Sequence, residues 1–158
     1  FYNYFSSKQD IFAALLTDFL TNLNNNLTRH RRAADTTEDF IHYAYRALFT
    51  ATARDPLVYE LAHRNDRALR ELFGSDILGL TMLSLEDDVR EAMARGLLPQ
   101  IDHEYLCAAF FGVAYETSLT LARRAHRKPD SAEAEALTAT RFSTALFMGG
   151  LPRLAALP

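Results

Sequence analysis

The sequence has a single cysteine, Cys107, so no disulfide can close within the chain, and a lone thiol fits a reducing compartment. Glycine and proline are scarce: six and five in 158 residues, too few for an all-β protein that must turn often. Charge of one sign is lacking too. The formal net charge is −3, which leaves no nucleic-acid footprint for the chain as a whole, so any DNA contact must be local. The longest uninterrupted apolar run, Tyr105 to Tyr115, is too short to span a bilayer and contains a glycine. There is no basic segment followed by a small-residue cleavage site at the start, and no initiator methionine. These absences lead us to expect a cytoplasmic chain that makes no membrane contact, read here as a fragment of a longer protein. Lysine is nearly absent as well, with only Lys8 and Lys128.

Hydrophobic residues make up 49%, which is globular, and their spacing is helical almost throughout. We expect an all-α fold. Ser7 is the expected cap of the first full helix, with Asp10 as capping-box partner. Phe12, Leu15, Leu16, Phe19, Leu23 and Leu27 form its apolar face. Arg29, Arg31 and Arg32 close it at the negative end of the dipole, as a solvated terminus. Thr36 or Thr37 caps a second helix with Phe40, Ile41, Ala44, Leu48 and Ala51 on its stripe. Asp55-Pro56 opens a short helix to about His63, and a broken piece follows from Asp66 to Phe73. Gly74 stops that piece and Ser75 caps a longer helix ending near Arg95, with Gly96 as its C′ residue and Pro99 beyond. Asp102 caps the most apolar helix, about 103–126. Pro129-Asp130-Ser131 is a turn, with Asp130 and Glu133 spaced as another capping box. A last helix runs to about Met148, where Gly149-Gly150 and Pro152 end it.

The opening Phe1-Tyr2-Asn3-Tyr4-Phe5-Ser6-Ser7-Lys8-Gln9-Asp10-Ile11-Phe12 resembles the end of the helix-turn-helix in the tetracycline-repressor (TetR) family. There a recognition helix ends in aromatics, a short turn follows, and a Ser/Asn-Lys pair begins the helix that joins the DNA-binding and sensor domains. Arg95-Gly96-Leu97-Leu98-Pro99-Gln100-Ile101-Asp102 is similar to the family's approach to its penultimate long helix, and Gly149-Gly150-Leu151 to the end of its last. The resemblance implies two units: residues 1–32 as the end of a DNA-binding domain plus connecting helix, and 33–158 as a ligand-binding and dimerisation domain. It implies a ligand-responsive, DNA-binding regulator of transcription, of the repressor type released from its operator by a small molecule. Its partners are operator DNA and a small-molecule effector, and no cofactor is called for. A strand over Phe1–Phe12, or a helix sealed inside the body without a turn near Ser6, overturns this reading.

With that resemblance, Tyr2, Asn3, Tyr4 and Lys8 are candidate DNA contacts: phenols and an amide for phosphate or base edges, and an ammonium for phosphate. Candidate effector contacts are the aromatic and soft side chains Phe49, Tyr59, Phe73, Met82, Phe110 and Val113. His63, Glu116 and Thr117 are the polar groups that would orient an apolar or amphipathic molecule. Glu116 interrupts an apolar helix, so it must be paired, protonated, exposed or used.

The helix over 103–126 is apolar on two faces, one of Leu106, Phe110, Val113, Thr117 and Leu121, the other of Cys107, Phe111, Ala114, Ser118 and Ala122. One protomer is not expected to cover both. The second face, with Leu137, Thr140, Ser143 and Phe147 of the last helix, is therefore the expected four-helix interface of a two-fold homodimer. Such a dimer reads half-sites roughly 34–36 Å apart.

Two other classes compete. Glu60-x-x-His63 and Asp39-x-x-His42 have the spacing of metal ligands in carboxylate-bridged bundles, but the two further glutamates such a centre needs are not evident, and no metal site is assigned. No G-x-S-x-G, Walker, G-x-G-x-x-G or C-x-x-C motif occurs, so no catalytic residue is assigned and the chain is not read as an enzyme. A non-enzymatic helical interaction domain is the third reading.

Overall fold

The computed structural model describes the backbone of residues 2–65, 67 and 76–158; the side chains of 2–7, 9, 10, 13 and 76–82 are outside the description. Every regular element among the described residues is helical. In order they are α1 (Tyr2–Ala33), α2 (Thr37–Arg54), α3 (Pro56–Arg64), α4 (Asp76–Ala94), α5 (His103–Arg127), a 3₁₀ turn (Pro129–Ser131) and α6 (Ala132–Ala155). The broken helix expected over Asp66–Phe73, and Ser75 as a cap, lie outside the described residues apart from Arg67.

Local signals set most boundaries. Thr36 accepts a hydrogen bond from the Asp39 amide at 3.1 Å and starts α2. Asp102 accepts from the amides of Glu104 and Tyr105 at 3.0 and 3.1 Å and starts α5. Asp55 precedes Pro56 at the head of α3, where the missing N–H costs nothing. The end of α4 is a Schellman motif. Gly96, at φ 76°, donates to Met93 O while Leu97 donates to Ala92 O, and only glycine enters that left-handed region without strain.

Other boundaries depart from expectation. α1 is continuous through Ser6-Ser7, so Ser7 does not cap a helix. No Gly or Pro interrupts 2–33, and two serines cost only some tenths of a kcal/mol each in a helix interior. α6 runs through Gly149-Gly150 and past Pro152 to Ala155, because Leu151, 4% exposed, is anchored in the core and holds that turn in place. The Asp130/Glu133 box does not form. Ser131 instead donates to Lys128 O at 2.9 Å and makes no side-chain cap bond to α6.

The core lies between α2, α4, α5 and α6. It holds Ile41, Tyr45 and Phe49 from α2, Val89 and Met93 from α4, Leu106, Phe110 and Leu121 from α5, and Phe147 and Leu151 from α6. An aromatic stack runs through it: Tyr45 lies 5.5 Å from Phe49 and 5.9 Å from Phe147 between ring centroids, and Phe147 lies 4.4 Å from Phe110. The buried Tyr45 hydroxyl is satisfied by donating to Phe110 O at 2.9 Å, and burial raises its pKa. α5 is long and apolar enough by length and composition to cross a membrane, the one such helix among the described residues. Its buried residues serve this core.

Candidate functional site

The side chains that combine polarity with aromatic surroundings meet where α3 crosses α5. α3 is one short helix whose turn spacing brings Tyr59, Glu60 and His63 towards α5. Tyr59 donates its phenol to Tyr115 O at 3.4 Å, a long contact, and burial raises the phenol's pKa. His63 stacks on the Tyr115 ring, centroids 4.8 Å apart, and Tyr115 stacks in turn on Phe111 at 5.8 Å. His63 Nε2 stands 3.9 Å from Glu116 Oε1, and Glu60 pairs with His126 Nδ1 at 3.6 Å. Within this cluster His63 Nε2 and Ser118 Oγ are buried polar atoms, the latter within hydrogen-bonding reach of the Tyr59 phenol. Buried polar atoms among rings are groups that can orient a polar guest.

The structure thus brings three of the expected effector contacts, Tyr59, His63 and Glu116, into one place. Glu116 solves its problem by exposure, its side chain being 71% accessible, with His63 as neighbour. Val113 and Thr117 are half-buried on the same helix. Phe49 and Phe110 are corrected: at 0% and 6% exposed they are packed in the aromatic core against Tyr45 and Phe147, because α2 and α6 close over them. The expected contacts Phe73 and the Met82 side chain lie outside the described residues. A separate, open apolar notch of about 270 Å³ lies between the head of α2, the loop before α5 and the end of α6. Thr37, Pro99, Met148, Leu151, Pro152 and Ala155 line it, and none of these was expected to bind a ligand.

The expected dimer face is also corrected. Cys107, Ser118, Ala122, Thr140, Ser143 and Phe147 are each 6% exposed or less within one protomer, and Phe111 and Ala114 are half-buried. Only Leu137, at 44%, presents itself to solvent. Both apolar faces of α5 are covered because α3 packs on one side of it while α2, α4 and α6 pack on others. What remains open is a third face: Tyr105, 79% exposed, with Ala108, Ala109 and Gly112 along α5. α6 leaves Leu137, Phe142 and Leu146 open, Phe142 at 64%.

At the N-terminal end the expected turn is absent, yet α1 is not sealed either: Lys8, Ile11 and Leu15 are exposed. The side chains of Tyr2, Asn3 and Tyr4 lie outside the described residues. Among the described residues no three His, Cys, Asp or Glu side chains converge as metal ligands; Glu60 and His63 face His126 and Glu116 instead.

A second polar cluster was not foreseen. Arg31, expected in solvent, is buried beside Asp88 of α4, Nε to Oδ2 2.8 Å. Arg32 takes the other carboxylate oxygen at 3.1 Å and stands 3.8 Å from Glu91. Burial lowers the pKa of Arg31, with Asp88 acting in the opposite sense. The signal was present: Asp88 falls on the apolar stripe of Leu85 and Ala92, and a carboxylate on a buried stripe requires a cationic partner. Comparison with family models, with curated proteins and with solved structures gave no match.

Proposed function

We propose that the chain is the effector-sensing and dimerising body of a ligand-responsive, DNA-binding transcription regulator of the TetR type, with α1 as the arm that carries operator contacts. The convergence of Tyr59, His63 and Glu116 among the rings of Tyr115 and Phe111 carries this reading. It supplies what a sensor needs, apolar surface with a few polar atoms to orient a guest. The effector is a small apolar or amphipathic molecule. Pairing of two copies uses the open stripes of α5 and α6 (Tyr105, Ala109 and Gly112; Leu137, Phe142 and Leu146), whose small residues permit close approach of helices. Lys8 contacts a phosphate, a positioning role without sequence preference. The effector favours a conformation in which α1 is displaced, and half-site spacing no longer fits the operator. The shift equals the effector's differential affinity for the two states, about 1–3 kcal/mol in typical cases.

The test is a mobility-shift assay with the full protein that its gene encodes and DNA from the region upstream of that gene. Retardation that weakens steeply with salt, with a shallower salt slope for Lys8→Ala, is expected. A full protein that leaves this DNA unshifted at low salt overturns the regulator reading and favours a helical interaction domain. Sedimentation tests the pairing separately: Phe142→Asp converts dimer to monomer.

A further inference from the structure

Two carboxylates where α3 crosses α5 lack the partner that the buried carboxylate of α4 has. Asp88 is held by two arginines. Glu60 on α3 is 9% exposed, and its charged neighbour is His126 Nδ1 at 3.6 Å, beyond hydrogen-bond reach. Glu116 on α5 has His63 Nε2 at 3.9 Å. An imidazole carries charge only when protonated, so neither glutamate has a permanent counter-ion. Arg64 and Arg123, the nearest cations along the two helices, are exposed and pair with neither among the described residues. A charged carboxylate buried as deeply as Glu60 is costly without such a partner. The same crossing carries rings: His63 stacks on Tyr115, and Tyr115 on Phe111. Burial raises the pKa of the Tyr59 phenol, and the charge of Glu116 adds to the rise, so that carboxylate acts on the same surface. Glu60 and His63 stand one turn apart, about 5 Å along α3, and the two carboxylates together set a negative field beside the rings.

We propose that this crossing takes an organic cation, whose charged group pairs with Glu116 and Glu60 while its apolar or aromatic body lies on the rings of Tyr115, Phe111 and His63. The inference deepens the effector reading above and rests on it for the site; what it adds is the sign of the guest's charge. A cation gains Coulomb energy from two carboxylates without permanent counter-ions, and gains more where water is partly excluded. It gains again over the faces of aromatic rings. An anion such as a fatty acid or a phosphate ester meets the same carboxylates with no lysine or arginine paired to them, and is repelled. A neutral amphipath can use the rings and the Tyr59 phenol, but it leaves Glu60 without the cation that its burial calls for. The site is open at one side: the Glu116 side chain is 71% accessible and that of His63 26%, against 12% for Glu60. Glu116 therefore meets the guest's charge in solvent, and Glu60 holds it where the dielectric is lower.

Fluorescence titration of the chain with two matched probes tests it: a dansyl amide that ends in a trimethylammonium group, and the same dansyl amide ending in tert-butyl. At about 0.1 M salt the cationic probe is expected to bind about tenfold more tightly or better. Glu60→Gln and Glu116→Gln should each shrink that preference about threefold or more. If Glu60→Gln fails to fold, Glu116→Gln decides, since its side chain is largely in solvent. Equal affinity for the two probes, tighter binding of the neutral one, binding of neither, or a preference undiminished in Glu116→Gln overturns the proposal. None of these readings needs DNA. A chain that prefers the cation while the full protein leaves its upstream DNA unshifted loses the regulator and keeps the site. A full protein that shifts this DNA while the chain prefers the neutral probe loses the cation alone.

Discussion

Between α2, α5 and α6 the packed faces are aromatic and aliphatic, and several of their polar groups are closed on backbone, as Tyr45 is on Phe110 O, Thr52 on Leu48 O and Thr140 on Ala136 O. Between α1 and α4 the described contacts include a hydroxyl pair and a carboxylate shared by two arginines, with an arginine just past α4 on two carbonyls. Apolar packing is non-directional and tolerates small shifts, but its energy is lost steeply once a cavity opens. A charged seam is directional: it fixes register strongly and adds little net stability, because desolvation cancels much of the attraction. The first kind of contact builds a body, and the second sets where an arm lies on it.

The largest effect that separates the two regions is expected from Phe147→Ala. The ring touches both Tyr45 and Phe110, so its loss should cost about 3–5 kcal/mol and lower the protection of every helix together. A denaturant series with an unchanged slope checks it; selective release of α6 alone would break the picture of one shared core. The seam should behave differently when both partners change. Removing Asp88 alone strands Arg31 and should cost about 3–5 kcal/mol, whereas Arg31→Met with Asp88→Leu should recover most of that loss in urea unfolding. A double variant as unstable as the single one would mean that the seam supplies net stability rather than register.

The smallest effect is alkaline. Burial, aided by Glu86, pushes the Cys107 thiol up to about 11, while in the unfolded chain it ionises near 9. Between these values the unfolded chain has released a proton that the folded chain keeps, so stability falls as pH rises through that window. Tyr45 and Tyr59, both raised by burial, add in the same direction. Urea midpoints at about pH 8 and about pH 10.5 should show the decline, and Cys107→Ala should flatten part of it. A pH-independent midpoint would place the thiol outside the closed core.

Much of the helical framework was legible because its signals are local. Thr36, Asp102 and Gly96 act within four residues of themselves; Asp102 and Gly96 stand where the sequence placed them, and of the two threonines offered as cap it is Thr36 that takes the role. The candidate site was half legible. Tyr59, His63 and Glu116 were singled out for chemistry that survives any packing: an imidazole and a carboxylate set among rings. Phe49 and Phe110 were misassigned because an aromatic on an apolar stripe looks the same whether it faces a guest or another ring. The turn at Ser6-Ser7 and the stop at Gly149-Gly150 were expected from motif and propensity, and a few tenths to one kcal/mol per residue is too little to break a helix that other residues favour.

By itself the sequence determined that this chain is helical, where most of its helices start and stop, and that α5 has apolar surface on two faces. Periodicity records that a face is apolar, not which neighbour covers it. Only the tertiary structure decided that both faces are closed within one protomer, that Tyr105 and Phe142 are left open, and that Arg31 turns inward to Asp88. Those outcomes depend on residues of different helices, far apart in the chain, meeting in space, and no local pattern encodes that encounter.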